Sequence, residues 1–154
     1  MSHTISDLDK SFLLAFESTS LDVTAFHHRE HVRLAYIYLA LNGVEAAGNK
    51  VRTGLLRLLE QNGVDLRKYH ETLTQAWVQA VWHFMCVTGS TASADEFIER
   101  NPQLLDKSLM QSHYSPSLIE DDQARTGFVE PDLDPIPRHD LPPGRDGWQS
   151  GPAV

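Results

Sequence analysis

Cysteine is nearly absent from this chain of 154 residues, with Cys86 the single one. One thiol excludes an internal disulfide framework and any Cys-cluster zinc or iron–sulfur centre within one chain. In the stretch WHFMCV it reads as a small core hydrophobe rather than a nucleophile. Long apolar runs are missing too. None approaches the roughly 18 residues that a spanning helix needs. The opening MSHTISDLDK has no apolar core region and no early basic cluster, so no signal peptide is read there. The expectation is a cytoplasmic protein with no membrane partner. Runs of Lys and Arg are absent as well, and the formal net charge is -8 with a pI near 5.4. That balance weighs against nucleic acid and against an anionic lipid surface, both of which need a concentrated basic patch.

What the chain does hold is enough for one folded body. Hydrophobic residues make up 41% and charged residues 22%, a globular composition of single-domain length. Ser6 before Asp7 and Asp9 has the form of a helix start, and Phe12, Leu13 and Phe16 supply an apolar face, which predicts a helix over 7–18. After the connector 18–22, Asp22 or Thr24 can cap a second helix through HHREHVRLAYIYLAL, ending at Asn42-Gly43. Val44, Ala47, Val51, Leu55 and Leu58 recur at helical spacing in a third, which Gly63 ends. A fourth, over 67–87, is apolar around most of its circumference and reads as the central helix.

Ser93-Ala94-Asp95-Glu96 forms a capping box for a short helix that Asn101-Pro102 breaks. Leu104, Leu105 and Leu109 belong to a further turn, and Ser115-Pro116 opens a last helix over 116–125. Beyond Phe128 most of the prolines gather. The fold class is therefore all-α: a compact helical bundle over 1–128, followed by a Pro/Gly-rich arm and tail over 129–154.

Histidine is the informative residue, with eight copies. His28 shares a helical face with Val32, Ala35 and Leu39, and His31 lies one turn along, on the stripe of Leu34 and Tyr38. That i, i+3 spacing lets one helix offer two ligands to one ion; His27 with His31 is the i, i+4 alternative. On the fourth helix His70 heads the stripe of Thr74, Trp77, Val81 and Phe84, while Glu71 heads that of Val78, Trp82 and Met85. His83 falls on the polar face with Thr72, Gln75 and Gln79, exposed or at the edge of a site. Trp77 and Trp82 read as core, His113-Tyr114 as a loop that could close over a site, and His139 as solvated.

Inward His and Glu side chains need partners, because buried polar groups are costly alone. Three solutions stay open. His28, His31, His70 and Glu71 could converge on one divalent transition metal, with zinc, iron, manganese and copper all compatible. A metal-free pocket could use His70 and Glu71 as acid and base, with Tyr69 and Tyr114 as donors. The histidines could instead be structural, in a binding or regulatory module whose acidic tail recruits a partner. The order His27-His28-Arg29-Glu30-His31 is not the HExxH zincin frame, and the carboxylates are too few for a di-iron centre.

The segments FHHREHVRLAYIYL, KYHETLTQAW and HYSPSLI together resemble a family of short bacterial hypothetical proteins. Those proteins carry F-x-H-x-x-H at one helix start, Y-H-E-T-x-T at another and a Tyr-containing element near the C-terminus. Over 12–130 the resemblance places Phe26, His28, His31, Tyr69, His70, Glu71, Thr72, Thr74 and Tyr114 on the pattern, and leaves His27 and His83 off it. It implies His28 rather than His27, and supplies no reaction. The leading expectation is a small metal-dependent enzyme, hydrolytic or redox, acting on a small molecule. Its metal would sit on His28, His31, His70 and Glu71, and Tyr69, Thr74 and Tyr114 would orient the substrate.

Overall fold

The structure, a computed structural model, describes residues 2–18 and 20–139. Thr19 of the connector and the tail over 140–154 lie outside the described residues. The described chain is all-α, and a lone bridge between His3 and Thr91 is its only β pairing. No helix among these residues is long and apolar enough to cross a membrane.

The first helix, α1 (Asp7–Glu17), starts as its sequence dictates: Ser6 Oγ accepts the Asp9 amide and Asp9 accepts the Ser6 amide. Asp22 caps a separate 3-10 turn, Val23–Ala25, instead of the second helix. α2 (His28–Leu41) begins one turn later, with the Glu30 carboxylate accepting the His27 amide. The two-residue link Asn42-Gly43 then sends α3 (Val44–Gln61) back against it, and Gly63, at φ 67, turns the chain out of that helix.

After a 3-10 turn at Leu66–Lys68, α4 (Glu71–Val87) starts later than the sequence expectation, with His70 as its N-cap. α2, α3 and α4 pack pairwise around one core, in which Val32, Ala35, Leu39, Val51, Leu55, Leu58, Val78 and Val81 are all buried. α5 (Ala94–Arg100) follows the Ser93 cap, and 3-10 turns cover Pro102–Leu105 and Lys107–Ser112. The single helix expected over 116–125 is two: α6 (Pro116–Ile119) and α7 (Asp122–Thr126). Asp121 accepts the Gln123 amide and starts the second one afresh.

The arm after Phe128 is docked. Asp132 accepts from the Ser115 amide and hydroxyl, the Leu133 amide donates to His113 O, and Ile136 is buried. His139, expected in solvent, stacks on His83 with Nδ1 of His83 2.9 Å from its Nε2. Trp82 Nε1 donates to His139 O. A cross-tie that the sequence pattern did not reveal holds the other end. The buried Asp9 carboxylate takes Arg33 Nε at 3.1 Å and the Ala94 amide at 2.9 Å, joining α1, α2 and α5.

At Gly54 α3 passes so close to α1 that a Cβ would lie 2.3 Å from Cε2 of the buried Phe16 ring. Gly54→Ala gains about 1 kcal/mol of helix propensity and must displace that ring, at a cost of about 1–3 kcal/mol. Urea denaturation is expected to show a lower midpoint for Gly54→Ala than for the parent chain.

Candidate functional site

A cavity of about 440 Å³ lies between α2, α3 and α4, within the range of small-molecule sites. Ala35 of α2, Val51, Leu55 and Leu58 of α3 and Val78 of α4 form its apolar wall. Its polar lining comes from the starts of two helices and two neighbouring turns: His27, His28 and His31 at the head of α2, His70 and Thr74 at the head of α4, with Tyr69, Lys68 and Lys107. Three of the four residues expected to form a metal set, His28, His31 and His70, are thus brought together, and Thr74 and Tyr69 line the same space. Glu71 and Tyr114 do not.

Helix geometry explains the loss of Glu71. His70 is the extended N-cap residue and Glu71 the first helical one, so the two side chains leave the backbone in different directions, and only His70 reaches the cavity. Glu71 is buried on the other side, where Arg52 of α3 donates to its carboxylate through Nε, at 3.1 Å to each oxygen, and through the second guanidinium nitrogen at 2.6 Å. The Tyr69 hydroxyl donates to the same carboxylate. Burial alone would raise the Glu71 pKa; the hydrogen bonds from Arg52 and Tyr69 outweigh it and hold the group below its ordinary value. Tyr69 is raised, first by burial and then by this bond to a carboxylate. Tyr114 is fully buried away from the cavity and donates to Val129 O at 2.7 Å. Burial pushes its pKa up to about 12. Its role is to pin the arm. His113, beside it in the loop expected to close over a site, has Nδ1 2.6 Å from Asp134 O.

Of the four cavity histidines, the three expected at the site differ in what their nitrogens already do. His70 is committed at both: Nδ1 accepts the Leu73 amide at 3.1 Å, capping α4, and Nε2 donates to Ile119 O at 2.8 Å. These partners fix its tautomer, with the proton on Nε2. His28 donates from Nε2 to Leu104 O at 2.8 Å and meets the Trp77 ring edge-on at 4.4 Å between centroids. Desolvation lowers its pKa, against the opposing effect of the Leu104 carbonyl. The His31 side chain makes no hydrogen bond among the described residues; its ring meets Phe26 edge-on at 4.7 Å.

His31 is exposed by surface area, because it faces the open cavity, yet protein crowds it closely enough to make desolvation dominant. These descriptions pull apart: the accessible area decides what can reach the ring, and the surrounding protein decides its charge. Desolvation first, with positive charge on His28 second and Glu30 opposing, brings its pKa down to about 4. It is a neutral imidazole at physiological pH.

A transition-metal site takes three or four protein ligands. Here the carboxylate is turned away, and His70 has no lone pair to give. Among the described residues no group of three or more His, Cys, Asp or Glu side chains is placed to hold an ion. The residues as arranged do not fit the expected metal.

Arg52, Lys68, Lys107 and Trp77 are the residues that sequence reasoning missed or set elsewhere. Trp77 was assigned to the core and is instead a half-buried wall of the cavity. For Arg52 a signal existed: a carboxylate on an apolar stripe needs a cation from a neighbouring helix. For Lys107 there was none, since only the fold brings the turn after α5 to this mouth. Comparison with protein-family models, with curated proteins and with solved structures finds no match to this chain.

Two expectations follow. His70→Ala loses a helix cap and a tether and should cost about 1–3 kcal/mol, whereas His31→Ala breaks no hydrogen bond and should leave the thermal midpoint nearly unchanged. Equal losses in scanning calorimetry would refute this division of labour. The second concerns pH. His31 is depressed in the folded state, so between about pH 6.5 and pH 4 the unfolded chain binds more protons. Stability is then full above pH 6.5 and falls as pH drops through that window. The lowered His28 and His83 add to the same slope. Melting curves from pH 7 to pH 4.5 should show a shallower decline in His31→Gln than in the parent.

Proposed function

We propose that this protein binds a small, partly apolar molecule in the cavity between α2, α3 and α4, with the His31 imidazole as its polar partner. One observation carries the reading: an imidazole without a hydrogen bond, facing an apolar-walled space of molecular size. The ring is accessible from the cavity and no protein group holds either nitrogen, so both are free for whatever occupies that space. The apolar body of the ligand would rest against Val51, Leu55 and Leu58, and its polar end would meet His31, Nδ1 of His28 and Thr74.

Binding is favoured over acid–base catalysis for a physical reason. A general base works best with a pKa near the operating pH, and an imidazole brought down to about 4 holds a proton too weakly for that task. His70 and Glu71 do not form an acid–base pair across one ligand, since Arg52 and Tyr69 hold the Glu71 carboxylate outside the cavity lining. The small-molecule partner of the sequence reading is retained, and its metal is set aside.

Naphthol, an uncharged aromatic with one hydroxyl, is a suitable probe, followed by its own fluorescence. It should bind at one equivalent, and Thr74→Phe, which fills the cavity from a half-buried position, should weaken binding by about tenfold or more, roughly the affinity change that one lost contact patch gives. His31→Leu should weaken it severalfold. Naphthol binding that Thr74→Phe leaves unchanged, in a variant whose circular dichroism is that of the parent, would overturn the proposal.

A further inference from the structure

The cavity has a one-sided charge that the small-molecule reading does not itself require. Four histidines and two lysines line it, and no Asp or Glu does, in a chain with formal net charge -8. The two carboxylates nearest in sequence are both engaged elsewhere: Glu71 by Arg52 and Tyr69, and Glu30 by the His27 amide. Lys68 and Lys107 make no ion pair among the described residues, although Arg67 beside Lys68 is paired with Asp65. Lys107 lies near enough to act electrostatically on both His28 and His31, and on His31 it works against Glu30.

Helix polarity adds to this. α2, of 14 residues, and α4, of 17, both begin at the cavity, and their N-cap residues His27 and His70 are part of its lining. The start of a long helix carries the positive end of its dipole. Two such ends and two unpaired ammonium groups, with no carboxylate in the lining and Glu30 held at the His27 amide, make a predominantly positive field over an apolar floor, and low-dielectric walls concentrate it. An acidic protein that excludes its own carboxylates from one cavity is selecting against cations there.

We infer that the ligand of this cavity is an anion: a small organic acid whose apolar body lies on Val51, Leu55 and Leu58 and whose negative head group sits among His31, Lys107 and Lys68. The inference rests on the small-molecule reading above and specifies its ligand class. The neutral His31 imidazole donates its N–H to the head group, and the lysines supply charge at the mouth, so the head group is recognised without a metal ligand set.

The test compares three probes with one apolar body: naphthoate, naphthol and naphthylmethylammonium, titrated by calorimetry at pH 7 and low salt. Naphthoate should bind at least tenfold more tightly than naphthol, and the ammonium compound should not bind. The double variant Lys68→Gln/Lys107→Gln changes two exposed, unpaired side chains and should keep its fold. It should bring naphthoate down to the affinity of naphthol while leaving naphthol unchanged. Naphthol or the ammonium compound binding as tightly as naphthoate would overturn the anion inference and leave the cavity reading intact. Naphthoate affinity unmoved by the double variant would overturn the role given to the lysines and with it the inference. Absence of binding by all three probes would overturn the cavity reading and the anion inference with it.

Discussion

The Arg52–Glu71 pair shapes both halves of this molecule. A carboxylate buried at the first turn of a central helix is costly without a partner, and removing one member of such a pair leaves an uncompensated charge. Arg52 meets it from α3 with two nitrogens, and Tyr69 adds its hydroxyl from the chain entering α4. That three-way contact ties α3 to the head of α4 and sets the rotation of α4 about its axis. Once Glu71 faces Arg52, His70, Thr74 and Trp77 must face the opposite side, toward α2. The cavity and its polar lining are the other face of this ion pair.

The same contact empties the cavity of negative charge. Adjacent residues in the sequence, His70 and Glu71, are separated by the helix into two environments, one lined by histidine and lysine and one by carboxylate and arginine. Two distinct stripes were visible in the sequence, Thr74-Trp77-Val81 under His70 and Val78-Trp82-Met85 under Glu71. Treating both polar groups as one inward set ignored the rotation that those stripes encode. The angular information was present; what the sequence lacked was the position of Arg52, which depends on how α3 packs.

The rest of the fold divides along the same line between local and long-range causes. α1 to α4 were legible because caps and apolar spacing are local: Ser6 with Asp9, the Asn42-Gly43 link, the periodic Val44 to Leu58. Errors came where one cap signal competed with another nearby. Asp22 closes its own 3-10 turn before α2, and Asp121 restarts the chain within what reads as one helix. The Pro-rich arm was illegible for a different reason. Its docking depends on Tyr114 donating to Val129 O and on Ile136 finding a buried place, contacts between segments with no periodic pattern of their own. Histidine count misled similarly. His3, His28, His70 and His113 all direct a ring nitrogen at a backbone carbonyl, so most of the imidazoles that drew attention to a site are fastening the fold.

What remains is His31, whose side chain fastens nothing. A void walled by Val51, Leu55 and Leu58 forfeits packing, since lining atoms without neighbours lose their dispersion contacts. The His31 ring opens on the same space, with no protein group bonded to either nitrogen. A ligand that filled that space would recover the lost contacts and take up the free imidazole, and because it would bind the folded chain alone it would stabilise that chain in proportion to the logarithm of its concentration over its dissociation constant. The Arg52–Glu71 pair, by turning Glu71 out of that space, leaves His31 and the apolar wall as what the proposed ligand would meet there.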